Sequence, residues 1–317
     1  EAYWGVQTQR ALENFQISGV PISHYQGFIE AYAIVTIAAA RAIHAVGALP
    51  AADKQLLLGR VTHDASPLPL RSFLGAAPFD LEAGSPRLER FLELWRQLSA
   101  RLARRPVDQV AYELMNEPVA DDPAEWNRLL ARAARTVRER EPRRTLVIGS
   151  NRWQSADTFD ALLVPAGDAN VLLSFHFYTP MPLTHYGAGW TKVGEYEGPV
   201  RYPGEVVAEE DLAGLPDDLV GAIGRTDRYF DRSVLEERMA KPIALARATG
   251  LPLYCGEWGA LPSLPRADRL RWYADMRHVL EKYGIAWATW DWKGGFGVVD
   301  RERRVDEGLA AALLGPG

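Results

Sequence analysis

The chain has 317 residues, of which 47% are apolar and 24% are charged, so it can bury a substantial core within one large domain. Its formal net charge of −5 and the lack of any basic motif argue against nucleic acid as a partner. The single cysteine, Cys255, excludes an internal disulfide and a cysteine-based metal site. No apolar run reaches the length of about 18 residues that a membrane span needs.

The first elements are predicted from composition and periodicity. Residues 28–47 are alanine-rich and largely apolar, and they predict a helix that a glycine ends. Residues 56–63 predict a short strand, and residues 86–104 predict an amphipathic helix. The chain starts at Glu1 without a signal peptide, which we interpret as a mature form, a fragment or a trimmed chain. The apolar stripe of the amphipathic helix consists of Leu88, Leu92, Trp95 and Leu98.

Residues 110–115 are mostly apolar and predict a strand that is buried on both faces, as in a parallel sheet. The strand ends in Asn116 and Glu117, and Pro118 prevents it from continuing. In a barrel of alternating strands and helices, catalytic groups lie at this end of a strand. The alternative is that Asn116 caps the next helix and Glu117 is an acid in its first turn.

Two further strands follow. A helix is predicted over residues 122–140 and a strand over residues 145–150, with Trp153 just beyond the strand end. The next strand, over residues 171–178, delivers His176 and Tyr178. Because residues i and i+2 of a strand share a face, these two side chains point the same way.

The long segment 180–232 is rich in glycine, proline and aromatic residues, and we expect it to lie over the mouth of a barrel. Within this segment, Trp190 is a candidate platform for substrate. A helix over residues 233–249 precedes a short apolar strand that ends in Glu257. Glycines flank this acid, and glycine permits close backbone approach.

The last predicted elements are a helix over residues 265–282 and a strand over residues 285–292, which carries Trp290 near its end. Four strand ends therefore carry Asn-Glu, His-x-Tyr, Glu and Trp. Together they indicate a carbohydrate-cleaving site far more specifically than any one of them does. Trp153 either stacks on a sugar ring or packs against the protein.

The ordered motifs resemble the retaining glycoside hydrolases of family 5, whose fold is a (β/α)8 TIM barrel. The resemblance covers about residues 56–314 and points to a cellulase-like branch. The motifs that carry it are Asn116-Glu117-Pro118, His176-x-Tyr178, Glu257-x-Gly259 and Trp290, with supporting similarity in residues 175–180 and 292–298.

The resemblance implies roles for individual residues. Glu257 would attack the anomeric carbon, and Glu117 would act as acid and then as base, with the two carboxyl groups about 5–5.5 Å apart. Asn116 would bind the substrate 2-hydroxyl, and Tyr178 would hold Glu257. The substrate-binding set that it implies is His63, Asn116, Trp153, His176, Tyr178, Trp190 and Trp290.

Residues 2–15 are similar instead to the N-terminal segment of the aspartase/fumarase superfamily, and that similarity stops after about 50 residues. The serine loop of those lyases, Ser-Ser-x-x-Pro-x-Lys-x-Asn, is missing from the sequence. We therefore predict a chimeric chain, with a helical aspartase-like segment over 1–55 and a hydrolase barrel, strands 3–8, over 56–317. The barrel would be incomplete at strands 1 and 2, and the active-site arginine of the family's second strand is not found.

The sequence thus predicts a retaining hydrolase that cleaves a β-linked glucan by double displacement, without a metal or another cofactor. We expect a monomer that binds a β-glucan oligosaccharide or polysaccharide and does not bind a membrane, and the resemblance implies secretion or a periplasmic location. One alternative is a catalytically impaired, carbohydrate-binding relic of the family, which the missing barrel strands motivate. Another is an aspartase-type ammonia-lyase. Glucan, mannan and β-1,3-glucan remain open as substrates, as do endo and exo action.

Overall fold

The computed structural model describes residues 86–224, 228–291, 294–300, 302 and 304–315. It divides into two units after Arg104. In the first unit, the described part is essentially the helix α1 (Pro86–Leu102), whose Leu88, Leu92 and Trp95 are buried as predicted. The elements predicted over 28–47 and 56–63, and the predicted boundary after residue 55, lie outside the described residues.

The second unit alternates strands and helices. Its strands are β1 (Tyr112–Glu113), β2 (Leu146–Gly149), β3 (Val171–Phe177), β4 (Gly204–Glu205), β5 (Tyr229–Phe230), β6 (Leu253–Trp258) and β7 (Ala286–Trp287). Its helices are α2 (Pro123–Arg138), α3 (Asp217–Gly224), α4 (Arg232–Arg238), α5 (Ala240–Thr249), α6 (Arg266–Lys282) and α7 (Glu307–Leu314). Short helical segments lie at Asn151–Gln154, Ala156–Ala161, Met181–Thr184, Val193–Glu195 and Glu209–Leu212.

Five strands form one parallel sheet in the order β1-β2-β3-β6-β7. Since all five run the same way, their carboxyl ends lie along one edge, which is where polar groups converge in α/β folds. The remaining strands, β4 and β5, pair antiparallel within the long segment predicted to cover that edge.

The core packs α2 and neighbouring aromatic side chains against the sheet. Phe175 and Phe177 of β3 are buried, and their rings meet edge to face at 6.5 Å. Trp126 of α2 is also buried, and its indole N–H donates to the carbonyl of Gly149 at 2.9 Å. This bond ties the helix to the end of β2, close to the polar edge.

A buried ionic cluster holds the loop that leads into β1. Arg144 is fully buried and donates to the carbonyls of Pro106 and Val110, both at 2.9 Å. It also pairs with Glu141 at 2.7 Å, and the hydroxyl of Tyr112 donates to the same carboxylate at 2.7 Å. The guanidinium therefore satisfies several carbonyls of a loop that forms no regular structure.

Three predicted elements differ from the structure. The single helix predicted over 233–249 is two helices, α4 and α5, which meet at Met239. Pro242 explains the break, because proline lacks an N–H and its ring would clash with the carbonyl of Arg238 in a continuous helix. Two predicted strands are also shorter in the structure: the strand predicted over 110–115 pairs only at Tyr112–Glu113, and the strand predicted over 285–292 pairs only at Ala286–Trp287. Among the described residues, no helix is both long and apolar enough to cross a membrane.

Candidate active site

The segment after β1 carries Asn116 and Glu117, and both are half-buried. Glu117 has a left-handed backbone with φ of 49°, a conformation that costs a non-glycine residue roughly 1–3 kcal/mol. Its N–H donates to Oε1 of Gln154 at 2.8 Å. The helix-capping alternative for Asn116 is wrong, because α2 begins at Pro123 and its N-cap is Asp122.

Glu257 lies near the end of β6, where the ladder to β3 is irregular. On β3, Phe175 pairs with Cys255, and the next residue, His176, pairs with Glu257. Gly256 is therefore the extra residue of a β-bulge, which turns Glu257 toward His176. A Cβ atom on Gly256 would lie 3.3 Å from Nε2 of His176, so the expectation of close approach at this glycine is confirmed.

His176 and Tyr178 both reach the carboxylates, as expected for two residues that share a strand face. Nδ1 of His176 lies 2.9 Å from Oε1 of Glu117 and 3.6 Å from Oε2 of Glu257. The hydroxyl of Tyr178 donates to the same Oε2 atom at 3.0 Å. His176 thus lies between the two glutamates and contacts both.

Burial and mutual charge set the protonation of these groups. Burial raises the pKa of the Glu257 carboxyl, while the positive charge of a protonated His176 acts in the opposite direction. Burial disfavours the charged form of His176, but the hydrogen bond to Glu117 and the carboxylate charges around it raise the pKa of the imidazole overall. Burial also raises the pKa of Tyr178, which keeps its hydroxyl a neutral donor.

The three side chains Glu117, His176 and Glu257 each offer a ligand atom, and these atoms lie within 4.8 Å of one another. Such a set can in principle coordinate a cation. It is equally the arrangement that a pair of catalytic carboxylates with a bridging imidazole requires. The expectation that no metal takes part remains a prediction.

Aromatic residues border the cluster. Tyr178 and Trp290 pack against a small buried group of apolar side chains, Ala188, Leu261 and Phe296. The backbone N–H of Trp290 donates to the carbonyl of Trp258 at 2.8 Å, which places Trp290 beside the end of β6. A Cβ atom on Gly259 would lie 2.3 Å from the carbonyl oxygen of Trp290, so glycine is needed for this approach as well.

The two remaining tryptophans of the predicted set are open to solvent. Trp153 is 53% exposed, and its backbone N–H donates to the carbonyl of Pro118 at 3.1 Å, next to Glu117. Trp190 is 67% exposed, and its ring centroid lies 6.2 Å from that of His185. Burial lowers the pKa of His185 to about 4, which keeps this ring neutral.

One polar residue of the site was missed by sequence reasoning. Gln154 is fully buried and contacts the backbone of Glu117 and the side chains of Glu113 and Ser174. The carboxylate of Glu113 accepts a hydrogen bond from Nε2 of Gln154 at 3.0 Å. The predicted substrate residue His63 lies outside the part of the chain that the structure describes.

The family described as cellulase, glycosyl hydrolase family 5, matches residues 77–295, which is more than half of the chain. The chain belongs to this family. Its parallel sheet with alternating helices is accordingly part of a (β/α)8 barrel fold.

Individual relatives agree with the family. Endoglucanase C of Acetivibrio thermocellus is 29% identical over 206 residues, which are 65% of this chain and 60% of that protein. The structure of Thermotoga maritima Cel5A with cellobiose has a TM-score of 0.57 and 28% identity, covering 72% of this chain and 66% of that one. The same enzyme has also been solved with mannotriose, at a TM-score of 0.58. The chain thus spans about 60% of the length of its curated relative Endoglucanase C.

The similarity of the N-terminal segment to lyases is also found. Aspartate ammonia-lyase of Pseudomonas aeruginosa is 52% identical over 50 residues, but these are 16% of this chain and 10% of that protein. The family 5 hydrolase therefore accounts for the larger part of the chain, and the lyase similarity is confined to a short segment.

Proposed function

We propose that this family 5 hydrolase cleaves a β-linked glucan with retention of anomeric configuration, by double displacement. The observation that carries the proposal is the close approach of carboxylate oxygens of Glu117 and Glu257, which lie within 4.8 Å of each other. Retaining glycosidases place their carboxyl groups about 5–5.5 Å apart, whereas inverting enzymes leave about 6.5–9.5 Å for a water molecule.

In this mechanism Glu257 attacks the anomeric carbon and forms a glycosyl-enzyme. Glu117 gives a proton to the leaving oxygen and later takes one from the water that releases the sugar. Tyr178 and His176 stabilise the ionised form of Glu257, the first through its hydrogen bond and the second through its charge when protonated. Asn116 binds the substrate 2-hydroxyl.

The aromatic residues serve as platforms for sugar rings. Trp290 lies under the reacting sugar, and the exposed faces of Trp153 and Trp190 offer further stacking surfaces. The family resemblance adds His63 to the proposed binding set. A β-1,4-glucan oligosaccharide is the proposed ligand, in keeping with the cellobiose complex of a relative, whose mannotriose complex makes mannan the first alternative substrate.

The alternative of an impaired, carbohydrate-binding relic rests on the charge state of the nucleophile. Burial raises the pKa of Glu257, and the sequence lacks the second-strand arginine that would favour the carboxylate. This alternative predicts binding of cello-oligosaccharides without turnover.

The deciding experiment measures hydrolysis of a fluorogenic β-cellobioside by the chain, by Glu257→Gln and by Glu117→Gln. A 2-deoxy-2-fluoro cellobioside with a dinitrophenyl leaving group traps the intermediate for peptide mass spectrometry. We expect label on Glu257 in the parent and in Glu117→Gln, because this leaving group needs no acid, and none in Glu257→Gln. Calorimetric binding of cellotetraose without turnover or label would establish the relic instead.

A further inference from the structure

We infer that Gln154 is a positioning residue for the acid and base function of Glu117. The catalytic part of this inference rests on the proposed function, whereas the contacts of Gln154 with Glu117 do not depend on any reaction. The backbone of Glu117 is left-handed, so its N–H leaves the line of the β1 ladder and needs a partner elsewhere. Oε1 of Gln154 is that partner, at 2.8 Å.

The orientation of the Gln154 amide follows from its other contacts. Nε2 lies 3.0 Å from Oε1 of Glu113 and 3.3 Å from Oγ of Ser174. The backbone N–H of Glu117 can only donate a hydrogen bond, so the amide oxygen of Gln154 must face it and the amide nitrogen must face Glu113. The flipped amide would set oxygen against carboxylate and N–H against N–H.

The position of Gln154 is itself determined by the sheet. Gly149 pairs with Ser174 of β3, and Ser155 pairs with His176, so the turn between them is held at both ends. Within this turn, Gln154 has a φ of 53° and is fully buried. A Cβ atom on Gly149 would lie 2.5 Å from Cγ of Gln154, so glycine there leaves the space that the side chain fills.

These contacts link the backbone of Glu117 to two strands through one side chain. Gln154 reaches β1 through Glu113 and β3 through Ser174, and Glu117 in turn contacts His176. Without Gln154, the N–H of Glu117 loses its partner, and the left-handed conformation that aims the carboxylate toward His176 loses support. The carboxylate would then be misplaced at the moment of proton transfer.

The test replaces Gln154 with methionine, which has a similar shape and cannot hydrogen bond in the same way. Two substrates are compared: cellotetraose, whose leaving group needs a proton, and dinitrophenyl β-cellobioside, whose leaving group does not. We expect kcat/KM for cellotetraose to fall by about 100-fold, as for other small misplacements of catalytic groups, and the dinitrophenyl substrate to lose far less.

Asn127 provides a matched control. It is a buried amide that also bridges backbone groups, since it donates to the carbonyl of Ala161 at 2.7 Å and accepts from the N–H of Leu163 at 3.0 Å. Asn127→Leu should lower activity on the two substrates by the same factor, if at all. An equal loss on both substrates in Gln154→Met would overturn the inference.

Hydrogen exchange of the Glu117 amide supplies a readout that does not depend on turnover. We expect exchange at this amide to accelerate by more than about tenfold in Gln154→Met, while the β3 amides of the same variant exchange as in the parent. In Asn127→Leu, the Glu117 amide should exchange at the parent rate. Unchanged protection of the Glu117 amide would overturn the inference, whether or not the parent is active. A parent that hydrolyses neither substrate would overturn the proposed function, and amide exchange alone would then decide the role of Gln154.

Discussion

The hydroxyl of Tyr178 donates a hydrogen bond to Oε2 of Glu257 at 3.0 Å. Hydrogen bonds to a carboxylate favour its charged form and oppose the effect of burial, which raises the pKa of Glu257. The phenol therefore favours the ionised form of the proposed nucleophile, together with the charge of a protonated His176.

Tyr178→Phe removes that donor, so the pKa of Glu257 should rise further. The acidic limb of the profile of kcat/KM against pH should move to higher pH, and activity at neutral pH should fall roughly tenfold, as for loss of a hydrogen bond to a charged group. Tyr186→Phe is the control, because the hydroxyl of Tyr186 bonds only to carbonyl oxygens of Glu197 and Gly198 among the described residues. An unmoved acidic limb in Tyr178→Phe would refute the role assigned to this bond.

The two buried histidines near the site should titrate on opposite sides of the usual value of 6.5. Carboxylates raise the pKa of His176, whereas burial lowers the pKa of His185 to about 4. Imidazole NMR titration should show this order, and Glu117→Gln should lower the pKa of His176 by removing its hydrogen-bonded anion. Finding His176 neutral throughout, with no response to Glu117→Gln, would contradict the electrostatic account.

The same shift has a consequence for stability. The folded-state pKa of His176 lies above its unfolded value, so the folded protein binds the proton more tightly. The stabilisation is fully present below about pH 6.5 and is lost as the pH rises through the folded-state pKa. Urea unfolding at a series of pH values should show that the free energy of unfolding of the parent falls as the pH rises above about 6.5. In His176→Gln, the free energy of unfolding should depend less on pH.

The site shows which features a sequence can and cannot predict. Glu117, Glu257, His176 and Tyr178 were predictable, because each follows an apolar strand whose end is marked by a polar group, a glycine or a proline. Gln154 was not predictable, because the three left-handed residues Arg152–Gln154 include no glycine or asparagine that would signal such a turn. The turn is imposed instead by the pairing of Ser155 with β3. The lengths of β1 and β7 also depend on neighbouring strands rather than on their own composition.

Trp153 and Trp190 should contribute to substrate binding and little to stability. Both are more than half exposed, so truncation to alanine leaves no buried cavity. We expect KM for cellopentaose to rise by about fivefold for each, corresponding to about 1 kcal/mol of stacking, with unchanged melting temperature. Trp126→Ala, in the core, should instead destabilise the fold by about 3–5 kcal/mol. An unaltered KM in both exposed variants would remove these tryptophans from the proposed binding set.

Metal removal should leave the reaction unchanged. The proposed double displacement uses Glu117 and Glu257 as proton carrier and nucleophile, and both would lose these functions if they coordinated a cation. We therefore expect full activity after exhaustive treatment with EDTA and inhibition by added Zn²⁺. Loss of activity on chelation, restored by a divalent ion, would assign the cluster with His176 to a metal instead.

Arg144 should be a major determinant of stability at the opposite end of the sheet. Its replacement by methionine leaves the carboxylate of Glu141 buried without its cation and removes the hydrogen bonds that the guanidinium donates to the carbonyls of Pro106 and Val110. Removing one partner of a buried ion pair costs about 3–5 kcal/mol of unfolding free energy. The double variant Arg144→Met/Glu141→Gln should recover part of this loss, since the uncompensated charge is gone.

Arg304 offers the surface comparison for Arg144, because its pair with Asp300 at 2.8 Å is largely exposed and such pairs contribute about 0–1 kcal/mol. Urea denaturation should therefore separate Arg144→Met from Arg304→Met by several kcal/mol. Equal midpoints would mean that the loop before β1 does not depend on the buried guanidinium. That loop leads through β1 to Glu117. In Arg144→Met, activity and the folded sheet should therefore be lost at the same urea concentration.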